Sequence, residues 1–249
     1  MSVVMVLVNE YGVTFRYEFS PLGDTGVLIN ITENSDPASS RATRAIADFL
    51  RKAEQFRFLD VVPAFDNIAV FFRLDEVIIS SDTSFFSKAI QDLKGALKSL
   101  RLNLDDEGKV VSLPVCYDPT FGIDLESIAA QSDLSINQII EIHSSVSYNV
   151  GALGFAPGFA YLQGIDQRLN LPRRASPRTR VEAGSVAIAS EYTGVYPADL
   201  PGGWHVLGRT PVKLFVAGRS LLQVGDQVQF QPISMSDFTK FNRVSTKKL

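Results

Sequence analysis

Two histidines and one cysteine bound the side-chain chemistry open to this 249-residue chain. His143, His205 and Cys116 are too few for a metal site of the usual four-ligand histidine–thiolate kind, and no metal site is expected. Any histidine-based triad must use one of those two imidazoles. His143 follows Ile139 and Ile140 by about one helical turn. That spacing puts it on their buried face, as a hydrogen-bonded core or cap histidine. The same helix end carries Ser144, Ser145 and Ser147, beside which His143 could instead serve as a general base at the edge of a cleft.

Arginine supplies the second chemical signal. Arg168, Arg173, Arg174, Arg178 and Arg180 crowd into thirteen residues that Pro172 and Pro177 stiffen. A solvated loop is one reading. The other is an anion-binding cleft, because a guanidinium is a planar fork matched to carboxylate and phosphate oxygens. Pro-Arg-Thr-Arg runs straight into a glycine-containing strand, which would fix the direction of at least one of these side chains.

Two stretches rich in glycine and aromatic residues flank that segment. GFAPGFAYLQG, residues 154–164, and TGVYPADLPGGWHVLGRTP, residues 193–211, read as neither plain helix nor plain strand. Glycine pairs such as Gly202-Gly203 permit positive φ and a close approach of main chain to a ligand. Trp204 and Tyr196 could wall a pocket or pack beneath a loop, where tryptophan contributes about 2–3 kcal/mol by burial alone. Familiar phosphate and nucleophile devices are absent from the sequence. There is no GxxxxGK[ST] loop and no GxSxG elbow, and the spacing of Gly151, Gly154 and Gly158 is not the dinucleotide fingerprint.

These residues need elements to hold them. Charged residues are 20% and hydrophobic residues 45%, ordinary for a chain with a real core, and the net charge of -3 argues against nucleic-acid binding. A single cysteine allows no internal disulfide. The opening MSVVMVLVNEYG has a short apolar run without a basic lead-in, and no stretch nears the roughly 18 apolar residues that cross a bilayer, so a cytoplasmic location without membrane contact is expected.

Strand patterns over 3–8, 14–19 and 26–31 precede a helical stripe of Ala42, Ala45, Ile46, Phe49, Leu50, Ala53 and Phe56, with Asp36 or Ser39 as its cap. Strand runs at 58–62 and 68–74 follow, and then a second amphipathic helix from about Ser84 to Leu100. The polar, aperiodic 102–108 stretch marks a boundary. Beyond it a strand at 109–117 and short helices at 124–131 and 135–145, each opened by a capping-type residue, Asp124 and Ser135, lead into many short strands with Gly/Pro turns, the text of a sandwich or barrel.

HSSVSYNVGALGFAPGFAYLQG, LPRRASPRTRVEAGSVAIAS and TGVYPADLPGGWHVLGRTP, in that order, resemble the KipI family, also called allophanate hydrolase subunit 1, whose bacterial members are described as the B subunit of 5-oxoprolinase. The similarity runs over residues 110–231, and more loosely through Gly23-Asp24 and Val61-Val62-Pro63-Ala64-Phe65. Glu182 departs from the family's usual Val-Pro-Ala-Gly-Ser.

The resemblance implies a small α+β N-terminal domain, residues 1–105, followed by a mainly-β cyclophilin-like barrel domain, residues 106–249. It implies a subunit, inactive alone, of an ATP-dependent 5-oxoprolinase that opens 5-oxo-L-proline to L-glutamate with subunits A and C. ATP, with Mg as counter-ion, would sit at a site shared with or on a partner. A KipI-like inhibitor of a sensor histidine kinase, and half of a urea/allophanate-type carboxyltransferase, are the alternatives. On this reading His143 and Arg178 are catalytic. Phe155, Pro157, Gly158, Phe159, Tyr161, Arg180, Tyr196, Gly202, Gly203, Trp204 and Arg209 form an aromatic-walled hollow with guanidiniums at its rim, for substrate or nucleotide.

Overall fold

The computed structural model describes residues 5–8, 14–31, 37–53, 58–73, 84–98, 100 and 108–245. The expected cap Asp36, the helical-stripe residue Phe56 and the expected boundary at residue 105 lie outside them. The chain is predominantly β with five α-helices among the described residues, and it divides into two compact units, Met1–Gly108 and Lys109–Leu249. No helix among the described residues is long and apolar enough to cross a membrane.

The first unit is built on an antiparallel sheet in the order β1 (Met5–Val8), β2 (Thr14–Leu22), β3 (Gly26–Ile31), β5 (Asn67–Phe72), β4 (Phe58–Ala64). Alternation dictates its buried face: Val27, Ile29 and Ile31 of β3 and Ile68, Val70 and Phe72 of β5 point into one core. Helix α1 (Pro37–Lys52) adds Ala42, Ile46 and Leu50 at helical spacing, and α2 (Phe85–Leu97) adds Ala89, Leu93 and Ala96. Ser84 caps α2, its hydroxyl accepting from the Ser87 N–H at 3.2 Å.

The second unit carries the sequence features described above. Its sheet runs β6 (Val110–Val115), β16 (Gln227–Pro232), β7 (Ser147–Leu153), β8 (Ala160–Gln163), β11 (Tyr192–Val195), β10 (Ser185–Ala189), β13 (His205–Arg209). Only the β6–β16 pair is parallel among these. The last strand meets the first. Cys116, just past β6, donates its N–H to Arg209 O at 2.8 Å and accepts from Arg209 N–H at 2.9 Å, so the two ends of the ladder meet at one bridge and form a ring. Gly208 makes this approach possible, because a Cβ there would sit 2.6 Å from the Cys116 carbonyl oxygen.

Helices α3 (Leu125–Ser132) and α4 (Ile136–Ser144) pack on this ring, and α5 (Met235–Ser245) follows β16. Ser135 and Gln138 form a capping box at the start of α4. Side hairpins β9 (Arg178–Val181) with β12 (Leu200–Gly202), and β14 (Phe215–Val216) with β15 (Arg219–Ser220), complete the unit.

Every residue of β10 is buried, although alternation should expose half of them. The reason is a core on each face. Val186 and Ile188 face the larger core with Leu113, Tyr148, Leu162 and Phe230, while Ala187 and Ala189 face a second cluster with Phe159, Tyr196 and Trp204. Burying side chains of this size contributes about 1.5–3 kcal/mol each.

Gly208→Ala should therefore destabilise the protein by about 1–3 kcal/mol, the usual cost of overpacking against an immovable backbone atom. Gly154→Ala, where a Cβ would meet nothing within 4 Å, should stay within about 0.5 kcal/mol of the parent. Denaturant melts of the two variants check this, and equal stabilities would show that ring closure does not depend on Gly208.

Candidate functional site

One buried carboxylate organises the arginine-rich segment. Asp124 precedes α3 and is 3% exposed. Read locally it is a helix cap, yet its side chain makes no capping hydrogen bond. Its Oδ1 instead accepts from Arg174 Nη1 at 2.8 Å and Arg178 Nη2 at 2.7 Å, and its Oδ2 accepts from Arg178 Nη1 at 2.8 Å and the Val206 N–H at 2.8 Å. Gly122 lets this segment lie against β13, since a Cβ there would collide with the Leu207 carbonyl oxygen. Burial raises the Asp124 carboxyl pKa. The Arg178 hydrogen bonds, the Val206 N–H and the charges of Arg178 and Arg174 outweigh that and hold it below the usual carboxylate range.

The strap that carries the arginines is tied to the same place. The Arg174 N–H donates to Gly203 O at 2.8 Å, and His205 Nε2 donates to Pro172 O at 3.0 Å. Gly202 lies in register with Arg178, and a side chain on Gly202 would collide with the Tyr196 hydroxyl. Gly203 has only ordinary contact with Pro177. Burial pushes the Tyr196 phenol up, against the Trp204 N–H and the nearby charges of Arg173 and Arg178.

Arg180 and Arg209 are each matched to one acid. Arg180 binds Asp199 at 3.0 and 2.6 Å on the surface. Arg209 pairs with Glu182 and lies 4.8 Å from the Phe121 ring centroid. Glu182, which replaces the family's proline, is thus the charge partner of Arg209.

The expected aromatic hollow is filled instead of open. Phe159, Tyr196 and Trp204 are 2%, 2% and 6% exposed, and they meet edge to face: Phe159–Tyr196 centroids are 5.6 Å apart and Phe159–Trp204 5.5 Å. Tyr161 joins them half-buried, 5.0 Å from Phe159. Gly158, at φ +88°, abuts Phe215, where a Cβ would come within 2.7 Å of the Phe215 Cβ. Pro157 is exposed, and Phe155, 59% exposed at φ 68°, is the ring that faces outward. Arg178, Gly202, Gly203 and Tyr196 are brought together; Arg180 and Arg209 sit in separate ion pairs.

His143, expected as a catalytic group, lies instead wholly enclosed in the larger core. Thr193 donates its one hydroxyl hydrogen to Ala187 O at 3.1 Å, so it accepts from His143 Nε2–H at 2.9 Å. Nδ1 then accepts from the Tyr117 hydroxyl at 2.8 Å, and the ring stacks on Phe230 at 4.6 Å. This neutral tautomer is satisfied at both nitrogens, and burial pushes the pKa down to about 3.

Comparison with known proteins places this geometry among relatives. The model of the carboxyltransferase domain, subdomain C and D, matches residues 17–222. The chain is 36% identical over 238 residues to the 5-oxoprolinase B subunit of Bacillus subtilis, covering 93% of this chain and 99% of that protein. It is 37% identical over 214 residues to the 5-oxoprolinase B subunit of Escherichia coli, covering 85% and 94%. The solved structure of TTHA0988 superposes with a TM-score of 0.69 at 33% identity, covering 84% of this chain and 40% of that longer one.

His143 and Asp124, both buried with depressed pKa values, make stability depend on pH. His143 has a depressed pKa in the folded state, so its stabilisation is complete above about pH 6.5 and is lost as pH falls towards about 3, where the unfolded chain holds a proton the folded one lacks. The slope should approach about 1.4 kcal/mol per pH unit within that window. Urea melts at pH 7 and pH 5 should show it, and His143→Gln should remove it; an identical slope in the variant would refute the assignment. Asp124→Asn leaves two guanidiniums short of a counter-charge and should cost about 3–5 kcal/mol at neutral pH. Asp124 also has a depressed pKa, so its contribution is full above the usual carboxylate range and fades only in stronger acid. A neutral-pH loss under about 1 kcal/mol would place the ion pairs among weak surface contacts.

Proposed function

The chain belongs to the family of 5-oxoprolinase B subunits and carries a carboxyltransferase-type domain, and from that premise we propose that it is one subunit of an ATP-dependent hydrolase that opens the lactam of 5-oxo-L-proline to L-glutamate. The observation that carries this reading is the end-to-end match, 99% of the Bacillus subtilis protein, with no large segment of that relative left over. On this reading the first unit is the family's small α+β domain and the second its cyclophilin-like barrel, with the division near residues 105–108.

A lactam is a stable amide, and water alone opens it slowly. Transfer of the ATP γ-phosphoryl group to the carbonyl oxygen would turn that oxygen into a leaving group. One water then adds at the carbonyl carbon and the C–N bond breaks with a proton going to nitrogen, which leaves an acyl phosphate; a second water hydrolyses that to carboxylate and phosphate. Such a path needs cations around the moving phosphoryl group. The site centred on Asp124 offers one surplus positive charge, two guanidiniums against one carboxylate. That suits the single carboxylate of the substrate better than a triphosphate. ATP and its Mg therefore belong at a surface completed by subunits A and C, and the chain alone is inactive. TTHA0988, in which a sequence like this one is 40% of a longer chain, supports the need for additional polypeptide. His143 is assigned a structural role.

The carboxyltransferase family model also favours a carboxyltransferase half, and the similarity of 127 residues, at 33% identity, to the urea amidolyase of Saccharomyces cerevisiae favours a urea-type amide as its substrate. One experiment separates the two. The chain is mixed with its family's subunits A and C, and glutamate and ADP are measured from 5-oxo-L-proline, with urea plus a carboxybiotin carrier in a parallel reaction. We expect both products from 5-oxo-L-proline only when all three chains are present. Turnover confined to the urea arm, or none with the complete set, would overturn the proposal.

A further inference from the structure

We infer that the exposed apolar surface made by Phe155, Pro157, Phe215 and Val216 is where a partner subunit docks, through an apolar pocket rimmed by carboxylates. The inference rests on the proposed function for the existence of that partner. It commits to the one subunit whose sequence matches the rest of TTHA0988.

Phe155 breaks two local rules at once. It holds φ 68°, a region that glycine or asparagine enters readily and phenylalanine does not. It is also 59% exposed. The backbone around it is tied throughout. The Ala156 N–H donates to Gly154 O at 2.8 Å and closes a γ-turn on Phe155, and the positive-φ form of that turn is rare and strained. The Phe159 N–H donates to Ala156 O at 2.9 Å across Pro157 and Gly158, and Gly158 at φ +88° completes a type II turn. The Gly154 N–H donates to Phe159 O at 3.2 Å. The ring is propped edge to face on Phe159 at 5.4 Å and Tyr196 at 6.3 Å. Strain that holds an aromatic ring half out of the protein adds nothing to stability. Strain of this kind persists at binding sites, where the conformation itself is used.

A second tight turn stands beside the first. β14 and β15 are joined through Ala217 at φ 50° and Gly218 at φ 77°, the two positive values of a type I′ hairpin. The hairpin presents Phe215 and Val216, 39% and 56% exposed. Phe215 lies against Gly158, so the two turns are neighbours. Two tied turns thus offer aromatic and aliphatic side chains on adjoining ground, the make-up of an interface core.

Charge says what the partner carries. Arg173, Lys213 and Arg219 are exposed and form no ion pair among the described residues. Lys213 and Arg219 flank Phe215 and Val216 in sequence. The Arg173 charge reaches the Tyr196 phenol, against whose ring Phe155 rests. Three unanswered cations around an apolar centre match a pocket with an acidic rim. They also argue against a second copy of this chain, since a two-fold interface sets the same residues against one another. In TTHA0988 a sequence like this one is 40% of a single chain, so more than half of that chain is polypeptide held permanently beside it. The subunit that corresponds to that polypeptide is the occupant.

Titration calorimetry of the full chain with that subunit tests this, with the other partner subunit in a parallel titration. Phe155→Asn removes the ring and suits φ 68° better. Its melting temperature should match or exceed the parent's while its affinity for the subunit falls about tenfold or more. Arg173→Glu should slow association, most at low ionic strength. Leu59→Ser, at a residue 56% exposed on the first unit, should bind as the parent does. No saturable binding by the parent, parent-like affinity in Phe155→Asn, or an equal loss in Leu59→Ser would overturn the assignment. So would a lower melting temperature in Phe155→Asn, which would give the ring a structural role, or Phe155-dependent binding of the other subunit instead. A parent dimer in sedimentation that Phe155→Asn dissociates would make a second copy the occupant and overturn it as well. Loss of binding in Phe155→Asn, with no lactam opened by the three parent chains, would count against the proposed reaction alone.

Discussion

A carboxylate that is 3% exposed cannot remain ionised unless its charge is answered locally, and the second unit is arranged around how Asp124 meets that demand. The answer comes from residues 50 and 54 positions later, Arg174 and Arg178, and from the backbone of β13 at Val206. Three segments far apart in sequence are thereby fixed relative to one another. The segment from Ile165 to Pro177 needs this, because its regular structure among the described residues is one 3₁₀ turn at Gln167–Leu169. With few ladder hydrogen bonds of its own, the strap takes its course from the ion pairs and from its ties to Gly203 and His205.

The unit contains a second buried polar centre, and comparing the two shows what separates structure from chemistry. Around His143 each donor has one acceptor: Tyr117 to Nδ1, Nε2 to Thr193, Thr193 to Ala187 O. Nothing is left over, and the ring is sealed between Phe230 and Tyr148. Such a closed chain of hydrogen bonds specifies how a core packs and offers a ligand no opening. Around Asp124 the count does not close. One positive charge remains, where the Arg174 and Arg178 side chains are 28% and 23% exposed.

Much of the framework was legible because it obeys local periodicity. Ala42, Ile46 and Leu50 at steps of four read as one helical face, and they are the buried face of α1. Ser135 before an apolar helix read as a cap and is one. The site was harder to read for a physical reason: its bonds are long-range. Asp124 before Leu125 carries the same local pattern as Ser135 before Ile136, yet its partners lie on another segment, so the sequence could not separate a cap from an ion-pair anchor. Which of the five arginines reach that carboxylate depends on the course of the strap, which no local pattern encodes. The aromatic residues were ambiguous in another way, since a pocket wall and a packed cluster call for the same rings and glycines. One signal was available. Ala187 and Ala189 alternate with Val186 and Ile188 in β10, and small side chains on a strand's outer face make room for large rings above it. Glu182, legible only as a departure from the family's usual residue, is the partner of Arg209.

The glycines of these stretches then take on a different meaning. At Gly158, Gly202 and Gly208 a Cβ would run into Phe215, the Tyr196 hydroxyl and the Cys116 carbonyl, so each is small because something rigid stands against it. Glycine here serves close packing, and only Gly158 among the three also uses a positive φ. A face packed in this way is stiff, which matters on the proposed reading that partner subunits complete the site. If the guanidiniums were mobile, an approaching partner and substrate would have to order them, and each immobilised side chain would subtract about 0.5–1.5 kcal/mol from association. Set between a packed aromatic cluster and a buried carboxylate, Arg174 and Arg178 are ordered when the chain folds. The ordering cost is then met by the stability of this unit, and a partner that closes over the site has only to supply the remaining contacts.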